Sequence, residues 1–122
     1  MLYEFHKSEL VYNWHRLKGP IEELIVVEGF PSVWWMTQLG FPNVVATMGS
    51  ACSEAQAKLI TILVPESGRV WLLPDGDDAG KRFALEVFER VGAERFLKWL
   101  KLEDKKQPTD YPAAFYRERL KR

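Results

Sequence analysis

Three short apolar runs constrain this chain more than any other feature. Leu24, Ile25, Val26 and Val27 form the first, Val44, Val45, Ala46, Thr47 and Met48 the second, and Val70, Trp71, Leu72 and Leu73 the third. None alternates with polar residues, and β-branched side chains dominate the first two. Continuous runs of this length suit strands buried on both faces, as in a parallel sheet covered by helices. What separates them reads as helix. Pro31 near the start and Gly40 at the stop bracket a helix over 31–39. Ser53 and Gln56 have the spacing of a capping box, which predicts a helix over 54–63. Phe83, Val87 and Val91 repeat at i, i+4 and i+8, an apolar stripe on a helix over 78–91. Residues 96–102 read as a weaker fourth strand or a helix. Gln107, Pro108, Thr109 and Asp110 form a loop with capping residues, and a basic amphipathic helix closes the chain. The expected fold class is therefore α/β, a mostly parallel sheet of about four strands flanked by helices.

Length and composition agree with a single packed unit. The chain has 122 residues, 47% of them hydrophobic and 13% aromatic, with 28% charged. At this size folding hides about two-thirds of the unfolded chain's surface. Such a composition excludes disordered and low-complexity classes. The one cysteine, Cys52, excludes an internal disulfide framework and a multi-cysteine zinc ribbon, and reads as a small buried or turn residue. No apolar run reaches the roughly 18 residues of a transmembrane helix, and the mixed-polar start does not read as a secretory signal. The expected location is cytoplasmic. His6 and His15 have no ligand-pair spacing.

Net charge is zero, but it is unevenly placed. Residues 1–89 carry 7 basic and 12 acidic groups, and residues 90–122 carry 10 basic and 5 acidic groups, so −5 faces +5. An acidic body beside a basic C-terminal third can set a cation site next to a phosphate-binding surface, and it is equally the pattern of a solvated tail.

The acids sit where chemistry is expected. Ligands of open α/β sheets bind beyond the carboxyl ends of the strands. Glu28 closes the first apolar run, and Asp75, Asp77 and Asp78 follow the third. In extended backbone, residues i and i+2 project to one side, so Asp75 and Asp77 can converge. Two carboxylates plus waters suit Mg²⁺, a hard cation that prefers oxygen ligands. The same residues have structural readings: Asp77 or Asp78 can cap the following helix, and Glu28 can pair with a lysine. Lys81 and Arg82 open that helix and are candidates for phosphate contacts, or are solvated helix charges. Trp34 and Trp35 cannot both face inward from one helix; one is expected in the core, the other at an interface or a stacked base. Arg117, Arg119, Lys121 and Arg122 make the closing helix basic.

Three segments in order resemble a known family. Val26-Val27-Glu28-Gly29-Phe30, then Val44-Val45-Ala46-Thr47-Met48-Gly49-Ser50-Ala51, then Asp75-Gly76-Asp77-Asp78-Ala79-Gly80 are similar to the Toprim domain, most of all to that of bacterial DnaG-type primases and related phage and plasmid primases. Lys106-Gln107-Pro108-Thr109-Asp110 also looks like a segment that follows the last strand of primase-like members. The resemblance covers about residues 20–110, leaving 1–19 as a lead-in that packs on the domain and 111–122 as a basic C-terminal helix. It implies a compact, Rossmann-like fold and Mg²⁺-dependent nucleotidyl transfer in RNA primer synthesis, with Mn²⁺ able to substitute. Glu28 matches the family's general acid/base, and Asp75 and Asp77 match its metal-binding pair. The implied partners are a single-stranded DNA template and nucleoside triphosphates, with a replicative helicase or other domains of a longer parent chain. A non-catalytic binding module and a Toprim-type nuclease are the alternatives.

The sequence departs from the pattern at Ser32, where primases commonly carry an aspartate, at Leu73-Pro74, which replaces a hydrophobic-aromatic pair, and at Ser50, which replaces threonine. No zinc-binding module or template-holding N-terminal subdomain accompanies the motifs. The expectation is a single-metal domain, standing alone or excised, that is not fully active by itself.

Overall fold

In the computed structural model, residues 10–120 are described. His6 of the lead-in, with Lys121 and Arg122 of the basic tail, lies outside them. Four strands, β1 (Glu23–Val27), β2 (Val44–Ala46), β3 (Arg69–Leu72) and β4 (Phe96–Trp99), alternate with helices α1 (Phe30–Gln38), α2 (Glu54–Leu63), α3 (Asp78–Arg90) and α4 (Ala113–Arg119). The sheet order is β2-β1-β3-β4 and every pairing is parallel. Of residues 96–102, open between strand and helix in the sequence, Phe96–Trp99 form strand β4.

The continuous apolar runs are explained by two cores, one on each face. Leu24 and Val26 of β1, Val45 of β2, and Val70 and Leu72 of β3 pack against Ala57 and Ile60 of α2 and Phe83, Ala84 and Val87 of α3. The intervening residues Ile25, Val27, Val44, Ala46 and Trp71 point the other way, onto Val33 and Met36 of α1 and Tyr116 of α4. Period-two alternation thus serves two apolar faces at once. The closing helix is not merely a basic tail: fully buried Tyr116 anchors it, and its hydroxyl donates to the Pro108 carbonyl at 2.6 Å.

The helix boundaries follow local chemistry. Ser53 caps α2 in a reciprocal box with Gln56, as the spacing predicts. β2 is shorter than its apolar run: Thr47 N–H still donates to the Val27 carbonyl at 3.2 Å, but Met48 takes a left-handed φ of 70° and the extended backbone stops there. The outer edge of β2 is met by Tyr12 in an isolated antiparallel bridge to Ala46, and Trp14 Nε1 donates to the Leu59 carbonyl at 2.8 Å. Cys52 is fully buried, and burial first, then the Glu86 carboxylate, pushes its thiol up to about 11, an inert residue at pH 7. Trp35 is half-buried, with Nε1 donating to the Tyr111 carbonyl, whereas Trp34 is 58% exposed. Among the described residues no helix is long and apolar enough to cross a membrane.

Candidate metal and phosphate site at the carboxyl edge of the sheet

The sheet order decides which loops meet. The chain leaves β1 toward β2 on one side, then crosses back to β3 on the other. The carboxyl ends of β1 and β3 are therefore neighbours at a topological switch point, where open α/β sheets form their crevice. Glu28 follows β1 directly, and Asp75 follows β3 by three residues. The two residues are clasped: the Asp75 backbone N–H donates to Glu28 Oε2 at 2.7 Å. From the β2 side, the Ser50 hydroxyl donates to Glu28 Oε1 at 2.9 Å, and the Gly49 N–H donates to the Glu28 carbonyl at 3.0 Å. Three loops thus converge on one buried carboxylate.

The electrostatics of this edge are unbalanced. Glu28 is only 7% exposed, and burial raises its pKa despite the opposing donors at Asp75 and Ser50. Asp75 is pushed up to about 6, by burial first and then by the Glu28 and Asp77 carboxylates. Among the described residues nothing donates a hydrogen bond to the Asp75 carboxylate, and neither acid has an ion-pair partner. Among the described residues, no lysine pairs with Glu28.

The Asp75-Gly76-Asp77-Asp78-Ala79-Gly80 segment has a structural job at each glycine. A Cβ on Gly76 would run into the Glu103 carbonyl, because residues 103–106 lie directly against this turn. Gly76 N–H donates to the Lys106 carbonyl at 2.8 Å, and Lys105 N–H donates to the Gly76 carbonyl at 2.6 Å. A Cβ on Gly80 would strike the Asp75 carbonyl. Asp77 is the N-cap of α3, its Oδ1 accepting from the Gly80 N–H at 2.6 Å. Its other carboxylate oxygen accepts no hydrogen bond among the described residues. The cap and ligand readings of Asp77 are therefore compatible: one oxygen caps, one remains.

Asp75 and Asp77 line one small recess with Gly76, Lys81, Trp99, Lys101, Leu102 and Asp104. Of the two cations expected beside the acids, Lys81 borders this recess, while Arg82 is exposed on α3 outside it. Trp99, Lys101 and Asp104 follow from the same carboxyl-edge rule applied to β4, but the ambiguous pattern of residues 96–102 hid them. Ser50 was visible only as a replacement for threonine; its role as a donor to Glu28 needed the fold. Ser32 is buried, with its N–H bonded to the Gly29 carbonyl.

The donor set fits a hard divalent cation with retained water. It offers carboxylate oxygens, no sulfur and no imidazole, and a local excess of negative charge. Among the described residues no group of three or more His, Cys, Asp or Glu is gathered tightly enough to hold an ion by itself. Two carboxylates with water, or with a phosphate, are the arrangement this edge can supply.

Comparison with known proteins places the chain in a family. The Toprim domain profile matches residues 22–100. The chain is 36% identical to the DNA primase of Pseudomonas aeruginosa over 90 residues, which is 71% of this chain and 13% of that protein. It is 32% identical to the DNA primase of Mycoplasma genitalium over 93 residues, 76% of this chain and 15% of that one. The chain thus spans about a seventh of the length of these curated relatives. Among solved structures, a DNA primase domain from Pseudomonas aeruginosa superposes with a TM-score of 0.72 at 30% identity, covering 93% of this chain and 36% of that one. A DnaG primase catalytic domain bound to ssDNA superposes with a TM-score of 0.77 at 24% identity, covering 95% and 39%.

Proposed function

Because the chain belongs to the Toprim domain family, we propose that it is the divalent-metal-dependent nucleotidyl-transfer domain of a primase-like protein, acting in RNA primer synthesis. Residues 20–110 form the Toprim domain in this reading, 1–19 its lead-in and 111–122 its basic C-terminal helix. Its substrates are nucleoside triphosphates on a single-stranded DNA template. A replicative helicase, or other domains of a longer parent chain, completes the machinery. The setting is the cytoplasm. Support for the template comes from the structural neighbour bound to ssDNA.

One observation carries the proposal: Glu28 and Asp75 are clasped at the switch point, and neither has an ion-pair partner among the described residues. Like charges gathered this closely favour a bound cation. Asp75 and Asp77 are the residues that would hold Mg²⁺, or Mn²⁺ in its place. When bound, the ion neutralises phosphate charge and stabilises charge developing on oxygen. Glu28 acts as general acid/base. Its raised pKa brings it toward the operating pH, where such a group is most effective, and the Ser50 and Asp75 donors fix its orientation. Lys81 and Arg82 contact phosphate oxygens. The proposal is tested by assaying template-dependent primer synthesis in the full-length parent with Asp75→Asn. Loss of synthesis with the fold intact supports it, and undiminished synthesis refutes it.

A further inference from the structure

The chain has five tryptophans, and four of their indole N–H groups are satisfied. Trp14 donates to the Leu59 carbonyl, Trp34 to the Tyr12 hydroxyl, Trp35 to the Tyr111 carbonyl and Trp71 to Glu23, each at 2.8 Å. Trp99 is the exception. Its Nε1 is the buried side-chain polar atom without a hydrogen-bond partner among the described residues. Folded proteins rarely leave a buried donor unpaired, so an orphan of this kind calls for an oxygen that the chain itself does not supply.

Trp99 stands beside a candidate source of that oxygen. It is the last residue of β4, in register with Leu72 of β3, and so stands at the same carboxyl edge as the acids. Trp99 lines the recess together with Asp75, Asp77, Lys81 and Lys101. That recess encloses about 10 Å³, room for about one oxygen-sized atom. Lys101 Nζ lies 5.7 Å from the Trp99 ring centroid, and neither Lys81 nor Lys101 has an ion-pair partner among the described residues. A free anion would be repelled by Asp75, Asp77 and Asp104, which border the same space. An anion that arrives with a divalent cation is not repelled.

We propose that Trp99, with Lys81 and Lys101, forms a subsite for one non-bridging phosphate oxygen of a metal-bound nucleotide. The subsite rests on the reading of Asp75 and Asp77 as metal-holding residues. Trp99 is a binding residue in it: its N–H donates to the phosphate oxygen, and the two ammonium groups offset the charge that the metal leaves on the phosphate.

The test is an indole ¹H–¹⁵N spectrum of the 122-residue chain, with the Trp99 signal assigned by its loss in Trp99→Phe. Three titrations are run: Mg²⁺ alone, ATP alone, and both together. Mg²⁺ with ATP is expected to shift the Trp99 signal saturably and leave the other four indoles in place. Trp99→Phe, which keeps an aromatic ring in the same space, is expected to weaken ATP binding in Mg²⁺ by about tenfold, the scale of one hydrogen bond to a charged group, with Mg²⁺ affinity unchanged. Lys101→Gln is expected to weaken it as well and to lower its salt dependence. A Trp99 signal that stays fixed while the amides of residues 75–77 report both metal and nucleotide overturns the subsite and leaves the metal reading standing. A shift with Mg²⁺ alone overturns it in favour of a metal-bound water. A shift with ATP alone overturns the dependence on metal. Amides at 75–77 that ignore Mg²⁺ remove the metal reading and the subsite together.

Discussion

Strand β1 begins on one glutamate and is followed directly by another, and the two are held in opposite ways. Glu23, at the amino end, is 3.0 Å from Arg69 Nε and accepts from Trp71 Nε1 at 2.8 Å. Its charge is met by a cation on the adjacent strand. Glu28, just past the carboxyl end, is more deeply buried, yet among the described residues it receives a hydroxyl and a backbone N–H and no cation. Asp75 beside it receives no hydrogen bond to its carboxylate among the described residues. Among the described residues, one fold thus pairs its acid with a cation where only structure is at stake and leaves the acids at the switch point without an ion pair. Charge left unbalanced in a crevice is the mark of a site that expects a ligand. The difference is not one of residue type, since the same side chain serves at both ends.

The sharpest way to break this comparison is to neutralise one end. Asp75→Asn should reduce Mn²⁺ binding, followed by electron paramagnetic resonance, below detection, while Glu23→Gln should leave it unchanged. Equal losses in both variants would remove the distinction.

Acidity sharpens the contrast in stability. Asp75 has an ordinary value of 3.8 and is pushed up to about 6 in the fold. Its protonated form is therefore favoured by folding, and that contribution is fully present below 3.8 and lost as pH rises through 6. Denaturant stability without metal should fall across this window, and Asp75→Asn should be more stable than wild type at pH 7 but not at pH 3.5. Metal affinity has the opposite trend, rising over the same range as the proton leaves. A wild type and a variant with parallel stability–pH curves would contradict the raised acidity.

Backbone fit comes next in size. Gly80→Ala forces a methyl group toward the Asp75 carbonyl and should cost about 1–3 kcal/mol in urea unfolding. The amides of residues 75–78 should shift more than those around Glu23. The smallest effect belongs to the amino end: Glu23→Gln should cost about 1 kcal/mol or less, since the pair is partly exposed, and added salt should shrink the loss further. A loss of several kcal/mol would mean that this pair holds the sheet together.

The sheet was legible because its constraint is local. Runs such as Leu24 to Val27 have apolar side chains on both faces, and only a doubly covered strand has use for that. The Toprim segments gave Glu28, Asp75 and Asp77 as candidates, and the fold brings Glu28 and Asp75 into contact. Less legible was what depends on distant segments. Nothing near Gly76 in sequence says that residues 103–106 lie against it. The sequence also offered Asp77 as cap or ligand, a choice that one oxygen for each role dissolves. Residues 96–102 mix apolar and charged positions because β4 is the sheet's edge, where Phe96 and Lys98 are exposed. That edge character concealed both the strand and the recess at its end.

The most direct test of the account is Mn²⁺-induced paramagnetic broadening of backbone amides in the wild type and in Asp75→Asn/Asp77→Asn. The account predicts saturable broadening centred on residues 28–32 and 75–80, absent around Glu23 and Arg69, and lost in the double variant. A folded wild type with no localised broadening, or broadening that survives in the double variant, would contradict it.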